Sequence, residues 1–144
     1  MEVFKRAGDV DRYLIRLDQG DDVLGSINQV IWENGIRDGA VVSGIGTVSH
    51  AVLHMVTTTG YPPVEKYPVW EDTALEVCAI QGMIADGVPH LHAVFSDAEK
   101  AVGGHLEPGC ITLYLCEIVL EAWKSPALAR WKNDKGINEL HKKP

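Results

Sequence analysis

The chain has 144 residues, of which 46% are hydrophobic and 23% charged. This is the size of one ordinary domain, with enough apolar material to bury a core without disulfides or a structural metal, so any metal is expected to be functional. A formal net charge of -7 opposes a surface that gathers phosphates and argues against direct binding to DNA, and no apolar run approaches the roughly 20 residues of a membrane span or resembles a signal sequence, so a cytoplasmic location is expected.

In chain order, Tyr13 to Leu17 alternates apolar and polar side chains, imperfectly, as a half-buried strand does, and Asp18, Gln19 and Gly20 break the pattern. Asp21 or Asp22 can cap a helix whose apolar positions Val23, Ile27, Val30 and Ile31 fall at i, i+4, i+7 and i+8, with Gly35 as its stop. The period then changes. Ala40 to Ile45, Ala51 to Thr57, Leu75 to Met83, His90 to Phe95 and Ile111 to Leu120 are rich in β-branched or aromatic residues and read as strands. Gly44 and Gly46 flank Ile45 between two of these and predict a bulge or tight connection. They lack the third glycine and following helix of a dinucleotide loop.

The stretch Thr58 to Asp72 carries Pro62, Pro63 and Pro68 with Tyr61, Tyr67 and Trp70, and reads as a long ordered loop. Its aromatics either serve a site or cover an edge of the core. Beyond Glu121 the composition shifts: Ser125 as N-cap and Pro126 at the first helical position predict a short helix over Ala127 to Trp131, followed by a frayed tail from Lys132. With few helices between strands, the expectation is an α+β fold, a largely antiparallel sheet with one main helix packed on it. The domain would span residues 1–122, with a C-terminal extension over 123–144.

Cys78, Cys110 and Cys116 are odd in number, lie in apolar stretches and lack CxxC spacing, so they read as reduced core thiols, with Cys110 a spare ligand candidate because His105 is near in sequence. Three of the six histidines fall within sixteen residues, in Pro89-His90-Leu91-His92-Ala93-Val94-Phe95 and Gly103-Gly104-His105-Leu106. In a strand His90 and His92 share a face at about 6–7 Å between Cα atoms and can share one ion. Gly103 and Gly104 permit positive φ, which would swing His105 towards them. Three neutral imidazoles on zinc leave a fourth position for water, which at a pKa of about 7 becomes a hydroxide nucleophile. The other reading stands beside this one: His90 and His92 lie on the solvent face of a strand whose Leu91, Ala93 and Phe95 face the core. His50 and His54 read as surface or interface residues, and His141 has no assigned role. Of the nearby carboxylates, Asp97 and Glu117, the second lies in an apolar strand. It either orients a ligand imidazole or acts as general base on metal-bound water, or simply faces solvent.

The run from Tyr13 to about Leu120 resembles the PPC domain, the plant and prokaryote family known for following AT-hook motifs in plant nuclear proteins. The resemblance is carried by Arg16-Leu17 with Gly20-Asp21-Asp22, Ser43-Gly44-Ile45-Gly46, Leu75-Glu76-Val77 to Gly82, His90-Leu91-His92-Ala93, Gly103-Gly104-His105-Leu106 and Cys116-Glu117-Ile118. It implies an α+β fold, a homotrimer, and a metal ion, often zinc, near His90, His92 and His105, with Glu117 as the family's strand glutamate. It implies no reaction. The chain contains no Arg-Gly-Arg-Pro AT-hook, so minor-groove binding is not carried over. Residues 72–80 also depart from the plant type, and the tail from Trp123 lies outside the resemblance. The functional expectation is a trimeric protein binding zinc or another divalent metal, open to a small anionic or carbonyl-bearing ligand. The alternatives are a DNA-associated or transcription-related oligomerisation and interaction module without catalytic activity, and a purely structural trimer.

Overall fold

The computed structural model describes residues 1–6, 10–124 and 128–143, with backbone alone for 2–6. Its elements are β1 (Glu2–Arg6), β2 (Val10–Asp18), α1 (Val23–Glu33), β3 (Asp38–Val56), β4 (Glu65–Lys66), β5 (Val69–Trp70), β6 (Leu75–Ala85), β7 (Val88–Ser96), β8 (Ala101–Leu106), β9 (Ile111–Trp123), β10 (Leu128–Lys132) and β11 (Asn138–Lys142). The main sheet runs β1-β2-β9-β3-β6-β7-β8 with antiparallel pairings, while β4 and β5 pair back onto β3. Because the far end of β3 also pairs with β8, the strands β3, β6, β7 and β8 close into a ring.

The expected α+β class is corrected by these proportions. The chain is 62% strand and 8% helical with one short helix, a mostly antiparallel β structure rather than a helix packed on a sheet. Strand length is the physical reason. The two strands expected at 40–45 and 51–57 are one strand of 19 residues, β3, which continues past Gly44 and Gly46 by register shifts at Val41/Ser43, Gly46/Val48 and Val48/His50. A bulge absorbs an extra residue without ending a strand. Gly46 allows the closest approach there, since a Cβ on it would lie 2.3 Å from the Leu115 carbonyl oxygen of β9. Nothing in the described chain supports the homotrimer that the resemblance implies.

The helix itself follows its sequence signals. Asp22 caps it by accepting from the Gly25 amide, Val23, Ile27, Val30 and Ile31 are buried in the core, and Gly35 at φ 61° follows its end. The second Asp22 oxygen accepts from Gly109 N at 2.7 Å, so the cap also anchors the turn that enters β9.

The C-terminal expectation is also corrected. Leu128–Lys132 is a strand paired with Asn138–Lys142, not a helix followed by a frayed tail, and Ser125, Pro126 and Ala127 lie outside the described residues. A five-residue helix carries its whole nucleation cost with little propagation. A hairpin gives the same residues cross-strand partners: Asn133 accepts from Lys135 N and Ile137 N in the turn, Ala129 is buried, and Trp131 stacks on His141 at 4.1 Å between centroids. Arg130 then ties the hairpin to the sheet by donating to the Val88 and Met83 carbonyls. Among the described residues no helix is long and apolar enough to cross a membrane.

Candidate metal centre

The histidines are assembled by register. On β7, Leu91, Ala93 and Phe95 are buried while His90, His92 and Val94 point the other way, as strand alternation requires. His92 lies opposite His105 on β8, His105 lies opposite His54 on β3, and on the other side His92 lies opposite Gln81 on β6. Four neighbouring strands therefore place His54, His105, His92 and Gln81 in one row across the sheet. His90, opposite Met83, stands two residues along from His92 on the same face. All five line one open cavity of about 680 Å³.

The ring centroids are 5.4 Å apart for His90 and His92, 5.1 Å for His90 and His105, and 5.7 Å for His92 and His105. With metal–nitrogen bonds of about 2.1 Å, a ring centroid lies about 3.2 Å from the ion, and tetrahedral angles separate two such centroids by about 5.2 Å. The three rings stand near that separation, whereas the group of described residues whose ligand atoms all lie within 4.8 Å of one another is His54, His105 and Glu107. His90 and His92 are exposed, and partial desolvation, followed by the proximity of His105, holds both imidazoles below the ordinary histidine value, which favours the neutral, ligating form.

His105 is reached without the positive φ expected of Gly103 and Gly104, both of which sit within strand β8. Gly104 serves by close approach: a Cβ there would come 2.8 Å from the His54 carbonyl oxygen and hold β8 away from β3.

Around His105 the structure adds residues that the sequence reading left aside. Glu107 Oε1 lies 3.0 Å from His105 Nδ1 and 3.8 Å from His54 Nδ1. His54 is stacked on Tyr67 at 4.7 Å, and its Nε2 faces Glu65 Oε1 at 3.4 Å without a hydrogen-bond partner among the described residues. His54, His105 and Glu107 offer ligand atoms within 4.8 Å of one another. The available signal was local: Glu107 is two residues from His105 on the same strand face, and β4 and β5 fold the expected loop back over β3 so that Tyr67 reaches His54. This favours the loop reading in which at least one aromatic belongs to the site.

Glu117 is placed elsewhere. It is exposed on β9, opposite Arg16 and Ile45, and lines a separate cavity with Leu14, Ser43 and Val119. Asp97 caps the β7–β8 turn by accepting from Glu99 N and Lys100 N, bonds that hold its carboxyl below the usual range. Cys110 and Cys116 are buried. Cys110 exchanges hydrogen bonds with the Val52 backbone and its thiol is pushed up to about 11 by burial, so it is not presented as a ligand. Cys78 departs from the core expectation: it is exposed and lies 3.2 Å from Ser96 Oγ.

Residues 5–124 match the Plants and Prokaryotes Conserved (PCC) domain. The chain belongs to this family. The chain is 30% identical over 139 residues to the bifunctional protein GlmU of Synechococcus sp. (strain JA-2-3B'a(2-13)), covering 95% of this chain but 21% of that one. The chain thus spans about a fifth of the length of the curated relatives it matches. Two solved structures share the PCC fold. A protein from Bacteroides thetaiotaomicron for which DNA binding is suggested has a TM-score of 0.82 at 20% identity, covering 96% of each chain. A metal-containing protein from Archaeoglobus fulgidus has a TM-score of 0.74 at 23% identity, covering 94% of each chain.

Proposed function

We propose that this PCC domain binds one divalent metal ion, zinc by preference, through His90, His92 and His105, and presents it to a small anionic or carbonyl-bearing ligand in the cavity they line. The observation that carries this reading is the gathering of three imidazole rings, 5.1 to 5.7 Å apart between centroids, in one cavity. The metal-containing neighbour from Archaeoglobus fulgidus supports it. Zinc held by three neutral imidazoles supplies a Lewis acid and an open coordination position. The chain's own residues orient and shield: β7 fixes His90 and His92 on one face, β8 supplies His105, and Gln81 offers an amide to whatever enters. Glu117 lines a different cavity, so the proposal gives it no catalytic step.

Metal analysis of purified protein is expected to find close to one divalent ion per chain, and His92→Ala to lose most of it. Protein that carries none, and gains none on zinc addition, overturns the reading. A second reading, association with DNA or with transcription proteins, is favoured by the Bacteroides thetaiotaomicron neighbour. The net charge of -7 weighs against direct phosphate contact, and retardation of DNA that weakens as salt rises would establish such contact.

A further inference from the structure

We infer that Glu107 is a positioning residue for the metal centre: its carboxylate accepts the Nδ1–H of His105, fixing the tautomer that leaves Nε2 for the ion shared with His90 and His92. This rests on the metal-site reading above. Glu107 follows the last residue of β8, where its amide donates to the Val52 carbonyl at 3.2 Å, and as residue i+2 it falls on the face that carries His105. Its Oε1 lies 3.0 Å from His105 Nδ1, hydrogen-bond distance, and 3.8 Å from His54 Nδ1, which is beyond it. The carboxylate therefore addresses His105, and His54, stacked on Tyr67, closes its far side.

The trio of His54, His105 and Glu107 could instead hold an ion of its own, since its ligand atoms lie within 4.8 Å of one another. That arrangement would take His105 through Nδ1. The geometry points the other way: His105 is 5.1 Å from His90 and 5.7 Å from His92 between centroids, and a carboxylate hydrogen-bonded to one imidazole nitrogen directs the other to a metal. A carboxylate in this place also makes the imidazole a better donor, and losing such a partner typically weakens metal binding about 10–100-fold.

The test uses the full chain, zinc chloride titration and ¹⁵N shifts of the His105 ring. Glu107→Gln is expected to weaken zinc binding about 10–100-fold while the fold, followed by circular dichroism, is kept. Glu65→Gln, which removes an equal charge beside His54 but touches no predicted ligand, is expected to stay within about threefold of wild type by the same reasoning. In the wild type the His105 shifts should show Nδ1 protonated without zinc and Nε2 bound with it. Equal losses in the two variants would reduce Glu107 to a distant charge and overturn the inference, as would unchanged binding in Glu107→Gln. Zinc on His105 Nδ1 would overturn it in favour of the trio. If Glu107→Gln does not fold, the wild-type shifts alone decide. Wild type that takes up no zinc overturns the metal reading and this inference together, whereas zinc binding that ignores Glu107 overturns only the inference.

Discussion

His90 and His92 show how one face of a strand sets a protonation state. Partial desolvation and the neighbouring His105 lower both exposed imidazoles in the folded chain, while in the unfolded chain they return to about 6.5. Below 6.5, until the lowered folded values are reached, the unfolded chain holds more protons, so stability rises with pH through this window and is complete above it. Urea midpoints of metal-free protein are expected to be level between about pH 7 and 8 and to fall on acidification from about 6.5. The His90→Gln, His92→Gln double variant should lose this part of the slope, and an unchanged slope would show that other groups carry it. Zinc release should follow in the same direction, because protons and the ion compete for the same lone pairs. At this scale the gathering of His90, His92 and His105 in one cavity was legible. A His-x-His pair in a strand must share a face, and the spacing left open only whether that face met solvent or a site. Glu107, two residues from His105, was within reach of the same alternation but was not singled out, whereas His54 was not legible as a partner of His105, since their meeting depends on which strands lie side by side.

Strand pairing decides that meeting, and glycine permits it at close range. A Cβ on Gly82 of β6 would lie 2.1 Å from the His90 carbonyl oxygen and 2.9 Å from the Leu91 Cα, both backbone atoms that cannot step aside cheaply. Gly82→Ala is therefore expected to destabilise the fold by roughly 2–4 kcal/mol and to weaken zinc binding by displacing β7. Gly60→Ala meets nothing within 4 Å and should stay within about 0.5 kcal/mol in the same denaturant titration. Comparable losses for the two would show that strand approach does not set the effect. Helix α1 was readable from its cap, its spacing and Gly35 because those signals are local. The single 19-residue strand β3 was not: a bulge and a chain break look alike in sequence, and only the continuous partners on β9 and β6 distinguish them. The β10–β11 hairpin was misread for a related reason, as a five-residue apolar pattern becomes a strand only when a distant segment pairs with it.

For the whole molecule, the closed ring of β3, β6, β7 and β8 means that an ion on His90, His92 and His105 would bridge β7 to β8 within a structure already fastened through β3. Such an ion binds the folded chain alone, since unfolding scatters its ligands. With free zinc a hundredfold above its dissociation constant, linkage adds about 2.7 kcal/mol, and calorimetry should show a Tm several degrees higher that returns to the metal-free value in His92→Ala. An equal rise in the variant would place the stabilising ion elsewhere. The sequence by itself determined membership of the family, a chain rich in strands, one capped helix, and three clustered histidines, because alternation, caps and glycine stops act over a few residues. The tertiary structure alone decided that β elements dominate, that β3 runs unbroken, that Glu117 faces a different cavity, and that His54 stands beside His105. Each of these depends on pairings between segments tens of residues apart, which local periodicity does not encode.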